Sequence, residues 1–400
     1  MKNIITGTVA ACLMVAMATA ALAGPKPPRG LSPEAAQELE AKGVDKYLGQ
    51  FTPVSSTEVG DGWIKHQFDL EDGAGPVCIA GTSYSAFTRA GNPAKLLIFQ
   101  QGGGACWQDF YQCNIFAEAQ EPPTAPVGIW DFDAKNKDNP FADYSVVYMP
   151  YCDGSVFSGD NDVVDPAWQA YIEAALQLPP GFGPPTRVHR GLRNQSGGMD
   201  LAKAVFPNAS RITVAGTSAG GVGVAGFAPF LARLLYGNQV DLTVFNDAGP
   251  VVANLNAVDD VAARANDWQV AKFYPDSCTG CDPLGQPTEL IQWRLDNDST
   301  VREAFYSTDG DLVARFFNKV LTQSAYRTLI LMEHEKLNAN HPERYKTFIV
   351  SGDDSHTALQ NALFQTQDAN GVLLNDWTGH FISPRKPFWT NLIEEFVPVP

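Results

Sequence analysis

The sequence predicts a doubly wound α/β fold: one domain, with a mostly parallel sheet flanked by helices. Three observations predict it. Short apolar runs rich in branched and aromatic residues recur at wide spacing. Helical patterns fill the intervals between them. One run ends directly in a glycine-flanked serine that opens a helical stretch.

Taken in order, the chain begins with a secretory leader. Lys2 is followed by an apolar, Ala-rich stretch from Ile4 to Ala20, and Ala21-Leu22-Ala23 fits the small-residue cleavage rule, making residues 1–23 a signal peptide and 24–400 the remaining domain. The stretch is short and runs straight into Gly-Pro-Lys-Pro-Pro, which argues against a membrane anchor, and no later segment is apolar and long enough to span a bilayer. Residues 24–34 read as a loose lead-in, and a short helix is expected from Ser32 to Lys42. The strand candidates are Lys95–Phe99, Ser145–Met149, Arg211–Ala215, Leu242–Phe245, Glu289–Trp293 and Thr347–Val350. Their branched and aromatic content, bounded by Gly, Asp or Asn, fits strands buried on both faces. Helical patterns cover Gly223 to Leu235 and Thr300 to Tyr306, and the Pro/Gly-rich stretch 178–186 reads as a surface insertion.

Composition narrows the partners. The 400 residues are 44% hydrophobic and 18% charged, ordinary for a folded protein, and carry a net charge of −16. Loss of the leader removes Lys2 and no acid, leaving −17. Phosphates reward Lys and Arg, so this balance argues against nucleic acid or an anionic membrane as partner. Cys12 leaves with the leader, and Cys78, Cys106, Cys113, Cys152, Cys278 and Cys281 remain. An even number in an exported chain points to disulfides, with the connectivity open. Cys278-x-x-Cys281 lacks the second pair a zinc knuckle needs, so a small loop-stapling disulfide is expected there, with no metal.

The chemistry gathers where ligands bind in open parallel sheets, beyond the C-terminal strand ends. Gly216-Thr217-Ser218-Ala219-Gly220-Gly221 fits G-x-S-x-G after a strand and before a helix, the setting in which a serine hydroxyl stands exposed on a tight turn. Such a hydroxyl needs a base. Six histidines are present: His66, His189, His334, His341, His356 and His380. The chain order serine, acid, histidine removes the first two. His334 and His341 fall in a helix and its exit, where solvated roles are expected. His356 follows the last strand candidate in Ser351-Gly352-Asp353-Asp354-Ser355-His356 and is the expected base, with His380 in reserve. The acid is expected after the Glu289–Trp293 run, at Asp296 or Asp298, the latter also suited to capping the next helix. Gln101-Gly102-Gly103-Gly104-Ala105-Cys106-Trp107 follows a strand, so that Gly103 and Gly104, with Ala219 after the serine, are candidate oxyanion donors. A nucleotide-binding reading fails, because both the P-loop Lys-Ser/Thr and the G-x-G-x-x-G spacing are missing.

These motifs resemble the pectin acetylesterase/Notum family of secreted serine esterases. Gly102–Trp107 is similar to its glycine-rich stretch, Tyr151–Asp160 to its Y-C-D-G-x-x-F-S-G-D segment, Gly216–Gly221 to its G-T-S-A-G-G turn, and Asp247-Ala248-Gly249 to its D-A-G. The resemblance implies Ser218 as nucleophile, His356 as base, and Gly103, Gly104 and Ala219 as oxyanion donors. Its Notum branch supports Asp296 as the acid and its pectin acetylesterase branch supports Asp298. The family's cysteine pattern implies Cys106–Cys113 and Cys78–Cys152, leaving Cys278–Cys281 as a third pair. Ala105 departs from a frequent Trp and Gln101 from a frequent Glu, which alters the wall near the oxyanion loop.

The expectation is therefore an exported (secreted or periplasmic), cofactor-free serine carboxylesterase or O-deacetylase acting on an ester substrate, with O-acetyl groups on a polysaccharide as the family-level case. The alternatives are a lipase- or polyester-type esterase with a longer acyl pocket, and a non-catalytic binding protein on the same scaffold. A monomer is the expected assembly. An anionic polymer would meet repulsion from the net charge unless Arg187, Arg190 and Arg193 gather at the cleft. The Asp160-Asn161-Asp162 to Asp165 stretch reads as a solvated acidic loop rather than a Ca²⁺ site. Trp107, Phe110, Tyr151 and Phe157 are candidates for lining the cleft.

Overall fold

The computed structural model describes residues 29–69, 74–117, 121–133, 135–383 and 389–399. The expected signal peptide lies outside the described residues. Ten strands form the central sheet: β1 Ser55–Gly60, β2 Trp63–Gln67, β3 Ser85–Arg89, β4 Asn92–Gln100, β5 Tyr144–Met149, β6 Arg211–Thr217, β7 Asp241–Asp247, β8 Arg302–Thr308, β9 Tyr345–Val350 and β10 Leu392–Ile393. Their spatial order is β1-β2-β3-β5-β4-β6-β7-β8-β9-β10. From β5 to β10 every neighbour is parallel, and β1, β2 and β3 extend one edge antiparallel.

The central strands are buried on both faces, and their side chains divide by the two-residue period of a strand. Leu96 and Ile98 of β4 enter one core with Val147 of β5 and Phe305 of β8, while Leu97, Phe99, Tyr148 and Tyr306 enter the other. Helix Gly191–Val205, the pair Ala219–Ala225 and Ala228–Tyr236, and helix Gln323–Asn340 contribute to the first core. Trp377 and Phe381 of helix Leu374–Phe381 contribute to the second. Each fully buried large apolar side chain contributes roughly 1.5–3 kcal/mol, so this two-sided core is the main stabilising element. Among the described residues no single helix is long and apolar enough to cross a membrane. The bent pair 219–225 and 228–236 is apolar in composition, and its residues are buried or half-buried in the protein core.

Most expected elements are present. The first helix spans Pro33–Ala41, and the Ser32 hydroxyl accepts from the Ala35 N–H at 3.1 Å as its N-cap. Two assignments are exchanged. Glu289–Trp293, expected as a strand, lies inside helix Thr288–Asn297. Thr300–Tyr306, expected as a helix, is largely strand β8. The buried positions of the helix are Thr288, Leu290, Ile291, Trp293, Arg294 and Leu295, and the succession Thr288, Ile291, Leu295 keeps the three-to-four-residue period of a helix that the branched and aromatic content of the run hides. Disulfides join Cys78 to Cys152, Cys106 to Cys113 and Cys278 to Cys281. The second closes the hairpin of Gly104–Trp107 and Phe110–Cys113, which carries the glycine loop.

Candidate active site

Strand β6 delivers Ser218. The chain leaves the strand at Thr217, turns at Ser218 with φ 53° and ψ −118°, and enters helix Ala219–Ala225. A non-glycine residue at positive φ is strained, and such strain concentrates at functional turns. The Ser218 N–H donates to the Asp247 carbonyl on neighbouring β7 at 2.7 Å, which holds the turn against the sheet. The turn sits so close to the end of β4 that a Cβ on Gly220 would lie 2.0 Å from the Gln100 carbonyl oxygen. On the opposite wall, Gly104 has φ +75°, and a Cβ there would lie 2.0 Å from the Gln112 carbonyl oxygen.

His356 arrives in the loop after β9. Its Nδ1 lies 2.7 Å from Oδ2 of Asp311, a carboxylate with no solvent exposure. Asp311 also caps helix Leu312–Phe317: its Oδ1 accepts from the Ala314 N–H at 2.8 Å. One oxygen is thus fixed by a helix N-terminus, and the other is aimed at the imidazole. Paired with a carboxylate, Nδ1 carries the proton, so Nε2 presents its lone pair. Nε2 is buried and has no hydrogen-bond partner. Ser218, His356, Gly104 and Ala219 line one cavity of about 130 Å³, walled by Trp107 and Phe317. Gly103 is not among the residues that line this cavity, and a Cβ there would meet Asn114 and Tyr151.

A second carboxylate supports the histidine loop. Asp247, at the end of β7, is fully buried and accepts from the N–H groups of Ala358 (3.1 Å) and Leu359 (2.8 Å). Burial pushes its pKa up to about 7, against the pull of those N–H groups and of His356. Thr217 binds the pieces together. Its hydroxyl oxygen accepts from the Gly102 N–H at 3.2 Å and from Gln360 Nε2 at 2.8 Å, joining the Ser218 strand, the glycine loop and the histidine loop.

The two carboxylates expected as the acid stand elsewhere, which corrects the sequence reading. Asp298 forms a buried ion pair with Arg233, with Nε to Oδ2 at 2.6 Å, and bonds the N–H groups of Thr300 and Val301 ahead of β8. Asp296 is exposed beside His341 and Gln292. Both precede β8, whereas Asp311 follows it. Seven strand residues span roughly 23 Å, so the exchange of helix and strand moved the expected acid to the wrong end of the strand. The legible signal for Asp311 is Asp309-Gly310-Asp311 directly after the run Ala304-Phe305-Tyr306.

Other expectations are also corrected. His334 is buried rather than solvated: its ring stacks on Phe305 at 3.8 Å, its nitrogens face the Tyr345 hydroxyl and the Pro250 carbonyl, and burial lowers its pKa to about 4. His380 faces a separate surface cavity beside Lys95 and Arg211, at the N-terminal ends of β4 and β6. The acidic stretch is not solvated at its ends, since Asp160 is buried among Lys46, Arg193 and Lys272, and Asp165 pairs with Arg187. Arg187, Arg190 and Arg193 do not gather at the cleft, because each is held by a carboxylate. Of the aromatic candidates Trp107 lines the cavity and Phe110 stacks on it at 4.1 Å, whereas Tyr151 and Phe157 are fully buried.

A mostly parallel sheet with a serine on the strand-to-helix turn and a histidine–aspartate pair brought from later strand ends defines a carboxylic ester hydrolase of α/β architecture. Residues 68–262 match the profile of the pectinacetylesterase family. The fold of the chain is similar to the Wnt deacylase Notum from Drosophila, with a TM-score of 0.55 and 16% identity over 80% of this chain and 93% of that one. No curated protein matches the sequence.

Proposed function

We propose that this chain is an exported serine esterase that removes short acyl groups, O-acetyl foremost, from a polysaccharide or a small ester through a Ser218–His356–Asp311 triad. His356 Nε2 takes the Ser218 proton as Oγ attacks the ester carbonyl carbon. The oxygen of the tetrahedral intermediate gathers negative charge and is met by the N–H groups of Ala219 and Gly104. Asp311 stabilises the imidazolium and keeps the proton on Nδ1. The imidazolium then protonates the leaving alcohol, and the acyl group stays on Ser218. Water, deprotonated by the same Nε2, attacks the acyl-enzyme, and the released carboxylic acid restores the serine. The observation that carries this reading is the buried, unpartnered Nε2 in the cavity that Ser218 lines, with Nδ1 locked by Asp311.

A second reading, an esterase for longer acyl chains, is favoured by one observation. A further cavity of about 120 Å³ shares Val156, Val222, Val251 and Trp268 with the one beside Ser218 and is lined mostly by apolar side chains. An acyl series from acetate to palmitate, run beside acetylated pectin and xylan, separates the two. Activity falling steadily beyond butyrate supports short acyl groups, and an optimum at longer chains supports the second reading. Ser218→Ala is expected to cut turnover by about four to six orders of magnitude. Covalent labelling of Ser218 by an organophosphate, read by peptide mass, is expected in the wild type. Full activity of the alanine variant refutes the assignment.

A further inference from the structure

Most arginines among the described residues are neutralised. Arg187, Arg193, Arg233, Arg294 and Arg327 each meet a buried carboxylate. Arg315 and Arg344 turn their terminal nitrogens onto backbone carbonyls. Arg264 is different. It projects from helix Val258–Trp268 and lines both the cavity that holds Ser218 and the apolar cavity beside it. Its Nε donates to the Asp260 carbonyl at 3.3 Å, and its guanidinium lies 5.4 Å from the centre of the Trp107 ring. Among the described residues it forms no salt bridge, and its two terminal nitrogens make no hydrogen bond. The neighbouring carboxylates are already engaged. Asp260 Oδ1 accepts from Trp107 Nε1 at 3.1 Å, and Asp267 Oδ2 takes the Gln108 N–H and Arg187.

A cation in a largely apolar wall is costly unless something compensates it. The cost registers here, since burial lowers the Arg264 pKa below the usual arginine value despite the nearby Asp260. The support around the side chain is rigid. Trp107 is fixed at its indole nitrogen, and the Trp268 indole donates to the Cys106 carbonyl at 2.9 Å, tying the helix to the disulfide-closed hairpin. A guanidinium held at its Nε edge, with its terminal edge open to the cavity, presents the fork that binds a carboxylate bidentately.

We infer that Arg264 is a carboxylate-recognising subsite, so that the preferred ester carries a free carboxylate placed in the same cavity as the scissile carbonyl. The inference rests on the esterase reading and adds the charge of the substrate to it. The carboxylate belongs either to the acyl group or to the alcohol, and two substrate pairs separate these sources: 4-nitrophenyl butyrate against mono-4-nitrophenyl glutarate, and phenyl acetate against 4-acetoxybenzoate. Wild-type enzyme is expected to favour the anionic member of one pair in kcat/KM. Arg264→Gln is expected to lower that anionic-to-neutral ratio by about ten- to a hundredfold, the range of a lost charge-assisted pair. Arg264→Lys should retain part of the preference. A readout without turnover is the rise in Tm on adding millimolar glutarate to Ser218→Ala, relative to chloride at equal ionic strength, and its loss in the double variant with Arg264→Gln. Ratios in Arg264→Gln equal to wild type in both pairs, with no Arg264-dependent Tm shift, overturn the subsite. Failure of wild type to hydrolyse any of the four esters overturns the esterase reading instead, and the Tm arm still decides the subsite.

Discussion

Replacing Asp311 by Asn tests the least expected member of the site. Asp311 serves two donors, one oxygen for the Ala314 N–H and one for His356 Nδ1. Asn has a single acceptor oxygen. If that oxygen keeps the helix cap, the amide NH₂ faces Nδ1 and forces the imidazole into the tautomer with its proton on Nε2. Nε2 can then no longer accept the Ser218 proton. The analogous change in a serine protease costs about four orders of magnitude in kcat, and a loss of that order is expected here with little change in KM. Stability should move by less than about 1 kcal/mol, because Asn caps helices as well as Asp. Asp298→Asn provides the contrast. It leaves Arg233 buried without its counter-charge, so it should cost about 3–5 kcal/mol in urea denaturation while turnover per folded molecule is retained. Asp296→Asn, at an exposed side chain, should change neither. The assay is p-nitrophenyl acetate turnover normalised by active-site titration, beside urea melts. Asp311→Asn within tenfold of wild type, or a normalised kcat loss confined to Asp298→Asn, refutes this assignment of the acid.

The other predictions follow from the same geometry. Thr217→Val removes the acceptor shared by the Gly102 N–H and Gln360, and is expected to lower kcat by about tenfold or more with KM little changed, while Thr217→Ser restores most of it; a Val variant with wild-type kcat removes Thr217 from the positioning network. His334 has a folded pKa of about 4 against an ordinary 6.5, so its stabilising contribution is complete above the unfolded value and is lost as pH falls from 6.5 toward 4. The stability deficit of His334→Gln, read by urea melts, should therefore be largest at pH 7 and shrink by up to about 1.4 kcal/mol per pH unit below 6.5; a deficit independent of pH contradicts a buried neutral imidazole. Asp160→Asn leaves Lys46, Arg193 and Lys272 facing one another and should cost about 3–5 kcal/mol in chemical denaturation, and a change under 1 kcal/mol would show that solvent already compensates these cations.

Much of this architecture is legible in the sequence because its signals are local. The runs that become β4, β5, β6, β7 and β9 are apolar on both sides, as buried parallel strands must be. The Ser218 turn carries its own glycines, and His356 follows its strand by a short loop. Asp311 was hidden by a competition between segments. The segment 289–295 has the composition of a strand and the burial spacing of a helix. The segment 302–308 carries Glu303 inside an otherwise buried strand, a charge that only its pairing with Arg294 makes tolerable. That partner lies on helix Thr288–Asn297, whose own composition is that of a strand, so neither segment can be assigned without the other. Arg264 is illegible for a related reason: in sequence it is one arginine of a helix, and its distinction is that among the described residues it forms no salt bridge.

The same distribution of charge bears on what reaches the cleft. Arg187, Arg190 and Arg193 spend their charge on Asp165, Asp267, Asp162 and Asp160. The long-range field of a chain with net charge −16 is therefore repulsive to anionic polymers, whereas Arg264 offers a single local site for one carboxylate. These two effects differ in range and so in salt dependence. Raising ionic strength from about 0.01 M to about 0.15 M shortens the screening length from about 30 Å to about 8 Å. That change should raise kcat/KM for a polyanionic ester, because repulsion during approach is screened, and should leave the anionic-to-neutral ratio of the small ester pairs nearly constant, because a contact inside a cavity is screened far less. A fall in kcat/KM for the polyanion over this range would mean that cations at the cleft mouth attract it, and the picture of a repelled polymer and one interior carboxylate site would have to be abandoned.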